Sequence, residues 1–197
     1  AVPADPVPFV FDAGTTVVTR GKLEVYRKAG KPLPEGWALD AQGFAASSAQ
    51  KVIEDIARKD GGGILPLGGA EELTGGHKGY GFGVVCELFT SLLAGGPPSW
   101  KSYVEPGTAD TSHCFWAIDY RLFGDKKSIR AACSEMLEEL RATPKSDGKS
   151  RVYIHGEKEL EAQAQVRALG IPANEKTVGE LEAIAASLNV PFSLPAV

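Results

Sequence analysis

The chain has 197 residues, 43% hydrophobic and 23% charged, with a net charge of -4, a composition that supports one substantial core or two small ones. The acidic balance gives no reason to expect binding to nucleic acid or to an acidic membrane surface. Cys86, Cys114 and Cys133 lie far apart inside apolar segments with no CxxC spacing, so a disulfide framework and a metal site are not expected, and buried thiols in a cytoplasmic, reducing setting are.

The first residues, "AVPADPVPFVFD", go almost at once into what reads as a core strand. Met136 is the only methionine. Either an initiator methionine was removed before Ala1 or the chain is a processed or truncated piece of something longer. Two β-rich runs follow, Pro8 to Val18 and Lys22 to Arg27, divided by Arg20-Gly21 and closed by Gly30 and two prolines, which predicts a strand pair. Gln42 to Ser48 reads as loop. In "SAQKVIEDIARKDGGG" the apolar residues Val52, Ile53, Ile56 and Ala57 recur at helical spacing before three glycines, so a short helix is expected.

"ILPLGGAEELTGGHKGYGFGVVCELFTSLLAGG" places a glycine-rich approach before an apolar run, and the spacing predicts a helix over Tyr80 to Ala94 stopped by Gly95-Gly96-Pro97-Pro98. That run carries Glu87 and is too short and too interrupted by glycine to span a bilayer. Ser112 to Phe123, "SHCFWAIDYRLF", is apolar on both faces and is expected as an interior strand. Ile129, Ala132, Cys133, Met136, Leu137 and Leu140 mark one face of the clearest helix. A short strand is expected at Arg151 to Ile154, then two helices, the last opening on a capping box from Thr177 to Glu180 and burying Val178, Leu181, Ile184, Ala185 and Leu188. The mixture lacks the regular βαβ alternation of a doubly wound nucleotide fold, so the class is α/β, or α+β, with a mixed sheet.

Gly75, Gly76 and Gly79 around His77 and Lys78 admit two readings. At a helix start, unpaired N–H groups and a lysine suit a phosphate or carboxylate; alternatively the glycines permit close helix packing and a tight turn. Neither GxxxxGK[ST] nor GxGxxG is present.

The same stretch resembles the pattern "lPlGg…GGHKGyGLalmvelLsgvLaGa" of the malate/L-lactate/ureidoglycolate/sulfolactate dehydrogenase family, NAD(P)-dependent oxidoreductases of non-Rossmann fold. "PFVFDAGTTVVTRGKLEVYRKAGKPLPEGWALDAQG" is similar to that family's "vlDmatSvvarGKi…G…iPegwalD..G", "HCFWAID" to its "Hffiaid" strand and "RVYIHGEKE" to its "v..PGE.E" turn. The resemblance runs through essentially all 197 residues in order. It implies a mixed sheet flanked by helices, with a cofactor-binding region over 1–124 and a helical region over 125–197. It also implies that the chain is the C-terminal part of a family member, without the N-terminal region that carries the catalytic histidine.

Roles follow only where motifs match. The resemblance makes Asp12 the acid that supports the catalytic histidine. It makes Ala13, Gly14 and Thr15 backbone contacts to the cofactor, although Ala13-Gly14 replaces Met-Ala and Thr16 replaces Ser. Lys78, flanked by His77 and Gly79, matches the lysine that meets the dinucleotide. Gly156 and Glu157 match a second cofactor contact, with His155 in place of proline. None of His77, His113 and His155 stands where the catalytic histidine belongs. Implied with them are NAD or NADP as cofactor, a 2-oxo or 2-hydroxy acid as substrate, and a homodimer, the last agreeing with the apolar excess around Trp100, Tyr103, Phe115 and Trp116. The alternative is a non-catalytic dinucleotide-binding or assembly fragment of that fold.

Overall fold

A computed structural model of the chain describes residues 1–102 and 110–193; Tyr103 lies outside them. The chain is mixed α/β. It divides into two compact units, one of Ala13–Ala117 and the other of Ala1–Asp12 with Ile118–Val197.

In the first unit, α1 (Arg20–Lys28) starts where the Thr19 side chain accepts the Lys22 amide, and it ends on Arg27 and Lys28, which suit the negative end of the helix dipole. This corrects the expected strand at Lys22 to Arg27. The β-preferring Val25 and Tyr26 are outweighed by the cap and by Leu23, which is fully buried on the inner face. Helix α2 (Ala49–Arg58) is capped by Ser48, and Lys59 takes a left-handed conformation just after its end. Between them β1 (Ala38–Leu39) pairs antiparallel with β2 (Gly63–Ile64), Ala38 opposite Ile64. Leu23, Leu33, Ala38, Ala49, Val52 and Ile53 form this unit's core, edged by Tyr26 and Trp37 with ring centroids 4.8 Å apart.

Helix α3 covers Gly76–Glu87 and runs into a π-helical turn over Leu88–Leu92. It therefore begins four residues before Tyr80, where the apolar pattern alone puts its start. Tyr80, Phe82, Leu92 and Leu93 are all more than 60% exposed, and Cys86 is exposed as well, against the expectation of buried thiols.

In the second unit α4 (Lys126–Ala142) begins where Asp125 accepts the Ser128 amide. Of its expected inner face Leu137 is buried, packed with Ala4 and Ile154 and edged by Phe9 and Cys133, whereas Met136 and Leu140 are exposed. Helix α5 covers Glu157–Leu169 and α6 covers Glu175–Ser187. Asn174 caps α6 through the Lys176 amide, so Thr177 lies inside the first turn and the expected capping box does not form the start. Of the residues expected to be buried there, Ala185 is buried, but Leu181, Ile184 and Leu188 are exposed.

The expected strands at Pro8–Val18, Ser112–Phe123 and Arg151–Ile154 do not form among the described residues. A strand needs a partner to take its backbone groups, and these segments find only single contacts: Val2 with Phe9, Thr16 with Pro66, and the Val10 amide with the His155 carbonyl at 3.2 Å. Phe115 and Trp116 are left 88% and 71% exposed, and His113 and Cys114 are exposed beside them. Asp119 turns the chain into a short 3-10 helix, Tyr120–Phe123.

Candidate functional site

The Ala13–Ala117 unit holds the first group of candidate residues. Thr15 gives its carbonyl to the Leu67 amide at 3.0 Å, and the Val17 amide donates to Leu65 at 2.9 Å, which ties this stretch to the approach of α3. Ala13 and Gly14 are exposed, and their backbone amides donate to no described residue.

The start of α3 is fixed by backbone packing. A Cβ on Gly76 would overlap the Gly69 carbonyl oxygen, and one on Gly79 would overlap the Leu67 carbonyl while standing 2.5 Å from the Leu67 nitrogen. Only glycine fits at either place. Gly75, just before the helix, has φ +85°, which also favours glycine. The amides of Gly76 and Lys78 already donate to the carbonyls of Glu71 and Gly75, at 3.0 and 2.9 Å. The first turn thus keeps the amides of Gly75, Gly76 and Lys78 bonded within the protein, and Gly76 and Gly79 serve close packing.

The side chains remain available. Those of Lys78 and His77 are exposed and make no hydrogen bond or ion pair with a described residue. Successive residues point about 100° apart on a helix. His77 lines a cavity of about 430 Å³ with Leu65, Pro66, Glu72 and Tyr80, and Lys78 is not in its lining.

The second unit holds the other group. Asp12, His155 and Gly156 line one cavity of about 330 Å³ with Val10, Glu159 and Leu160. Its wall is set by the backbone contact of Val10 with His155 and by Gly156, whose φ of +100° excludes a side chain and whose added Cβ would lie 3.2 Å from the Val10 Cβ. The His155 ring meets Phe11 edge-on at 4.9 Å and Phe9 at 5.8 Å. The Asp12 carboxylate is exposed and has no partner among the described residues.

Glu157 is different. Its carboxylate accepts Arg141 Nε at 2.7 Å, Arg151 Nη2 at 2.9 Å and the Ile154 amide at 3.0 Å. Burial opposes its charge, yet the Ile154 amide and the Arg141 and Arg151 guanidiniums hold its carboxyl below the usual glutamate value. Glu87 is likewise engaged, accepting from Ser99 and Ser91, and the Ser99 hydroxyl leads in holding its carboxyl below the ordinary value.

Glu159, Leu160 and Gln163 of the cavity lining were not among the sequence candidates. With Gly156 they follow an i, i+3, i+4, i+7 spacing, so they share one face of α5 once its start is fixed. Among the described residues no group of three His, Cys, Asp or Glu is placed to hold a metal ion, and no helix is long and apolar enough to cross a membrane.

Residues 1–182 match the family model described as malate/L-lactate dehydrogenase. The chain is 37% identical over 193 residues to a malate dehydrogenase of Pyrococcus horikoshii, covering 96% of this chain and 51% of that protein. It is 31% identical to an L-lactate dehydrogenase of Cupriavidus necator over 93% of this chain and 49% of the relative. The crystal structure of malate dehydrogenase from Entamoeba histolytica superposes with a TM-score of 0.88 at 28% identity, over 98% of this chain and 54% of that one. The chain thus spans about half the length of the curated relatives it matches.

Proposed function

Because the chain belongs to the malate/L-lactate dehydrogenase family, we propose that it holds a nicotinamide dinucleotide, NAD or NADP, for oxidoreduction of a 2-hydroxy or 2-oxo acid. The observation that carries this reading is which charges are free. Of the charged motif residues, Asp12 and Lys78 are unpaired among the described residues, whereas Glu157 is taken up by protein groups. In the Ala13–Ala117 unit an unpartnered ammonium suits the phosphates of a dinucleotide; the other unit, taken by itself, holds a cavity of about 330 Å³ lined by Val10, Asp12 and Leu160, of a size and character for part of a nucleoside.

When bound, the cofactor supplies the hydride, at C4 of its nicotinamide ring. The protein's own work is to bind, orient and hold charge. Lys78 neutralises phosphate, exposed Ala13 and Gly14 offer backbone contacts beside Thr15, and His155-Gly156 forms a cavity wall. Asp12 keeps a carboxylate available to a proton-donating histidine, by the family resemblance. His77, His113 and His155 do not take that donor role. The substrate class follows from malate and L-lactate as the acids named for the relatives. A cytoplasmic setting suits the exposed thiols of Cys86 and Cys114.

Binding without turnover is the expected result for these 197 residues. Positioned proton transfer contributes about 10²–10⁴-fold, so oxidation of NADH or NADPH with 2-oxo acids is expected to stay at background in an absorbance assay at 340 nm, while NADH still binds. Robust oxidation by this polypeptide alone would overturn that division of roles.

The reading also includes self-association. Trp100, Phe115 and Trp116 are each more than 60% exposed, more apolar surface than a solvated monomer usually leaves uncovered. Sedimentation equilibrium at micromolar concentration is expected to give a homodimer, and a strict monomer would count against it.

A further inference from the structure

We infer that Glu157, held by Arg141 and Arg151, is a positioning residue for the cavity beside it: it fixes the His155-Gly156 turn and touches no ligand itself. This rests on the reading of that cavity as part of the dinucleotide site.

The geometry is that of a clamp with two jaws. On one side the Glu157 side chain, 12% exposed, joins three pieces of chain. Arg141 comes from the last turn of α4, Arg151 from the segment before the turn, and the Ile154 amide from the turn's own entry. The guanidiniums are held in turn, Arg141 by Glu138 at 2.9 Å and Arg151 by Glu161 at 2.7 Å. Arg151 also lies 4.1 Å from the centre of the Tyr153 ring. On the other side Val10 donates to the His155 carbonyl and packs against Gly156.

A carboxylate can accept about four hydrogen bonds, and three are already taken by protein donors here. Glu157 is also absent from the cavity lining, in which His155, Gly156 and Glu159 take part. What it transmits is position. With the charge removed, two guanidiniums lose their shared counter-ion and the Ile154 amide loses a charged acceptor. The wall made by His155 and Gly156 is then no longer held from that side.

The test is a double-mutant cycle read by NADH titration, with thermal melts and circular dichroism on the same samples. Glu157→Gln and Arg141→Gln are each expected to weaken NADH binding about tenfold, and the double variant to lose little more than the worse single one, because both changes break one network. Arg151→Gln, at a residue whose side chain is 42% exposed, is the milder change if either of the others fails to fold, and it is expected to weaken binding less. A direct contact between Glu157 and the cofactor predicts the reverse: Arg141→Gln would leave affinity unchanged, and that result overturns the inference. Lower melting temperatures with unchanged NADH affinity would also overturn it, showing a purely structural network. If the unmodified chain bound no NADH, the dinucleotide reading itself would fall, an outcome distinct from either of these.

Discussion

Gly79→Val is expected to lower the melting temperature of the protein by roughly 6–12 °C. Overpacking costs about 1–3 kcal/mol and sometimes more, and in a chain of this size each kcal/mol moves the midpoint by about 2–4 °C. The upper end applies because the obstacle is backbone. The new Cβ would overlap the Leu67 carbonyl and crowd the Leu67 nitrogen, neither of which can swing aside as the end of a side chain would. Leu67 is itself fixed by its bond to Thr15, so relief requires α3 to move away from the segment that carries Thr15. The control lies two residues on. A Cβ on Gly81 meets nothing within 4 Å, and replacing glycine by alanine inside a helix gains about 0.8–1 kcal/mol. Gly81→Ala is therefore expected to raise the midpoint by about 2–4 °C. Differential scanning calorimetry on the two variants checks the pair, and equal tolerance at both positions would contradict the packing role given to Gly79.

That pair also marks where the sequence stops being informative. "GYGFG" presents Gly79, Gly81 and Gly83 in identical alternation, and nothing local says that the first meets another backbone while the second faces open space. Segments whose stability is local were legible: the helical spacing at Val52 to Ala57 and at Ile129 to Leu140 matches α2 and α4. Segments whose state depends on a distant partner were not. The residue types of Ser112 to Phe123 favour a strand, but a preference for extended backbone does not supply a neighbour to pair with. Lys22 to Arg27 failed for the opposite reason, since a cap on Thr19 and burial of Leu23 settle the helix over a weak propensity.

The charged candidates divide in the same way. Lys78 stood out in the sequence by its place among glycines, and its side chain is exposed and unpartnered among the described residues. Glu157 stood out by its motif, but the partner it finds in Arg141 lies sixteen residues earlier in the chain, which no local pattern reveals. The start of α3 shows a further limit. The apolar run begins at Tyr80, while the helix begins at Gly76 because the turn before it is closed by the carbonyls of Glu71 and Glu72.

In the function proposed, this chain holds a dinucleotide and Lys78 is one of the groups holding it. With the amides of Gly76 and Lys78 already bonded to Glu71 and Gly75, the affinity of the α3 start for a phosphate falls mainly to the Lys78 ammonium. A hydrogen bond to a charged group contributes about 1.5–3 kcal/mol, which corresponds to a loss of roughly 10- to 150-fold when the ammonium is removed. Folding should hardly change, because Lys78 is exposed and bonds to no described residue through its side chain. Calorimetric titration of NADH and NADPH into the unmodified chain and into Lys78→Ala measures this directly. Saturable binding to the unmodified chain, weakened by at least tenfold in Lys78→Ala at an unchanged melting temperature, is expected; equal affinity in the two proteins, or no binding to either, would rule out this role for Lys78.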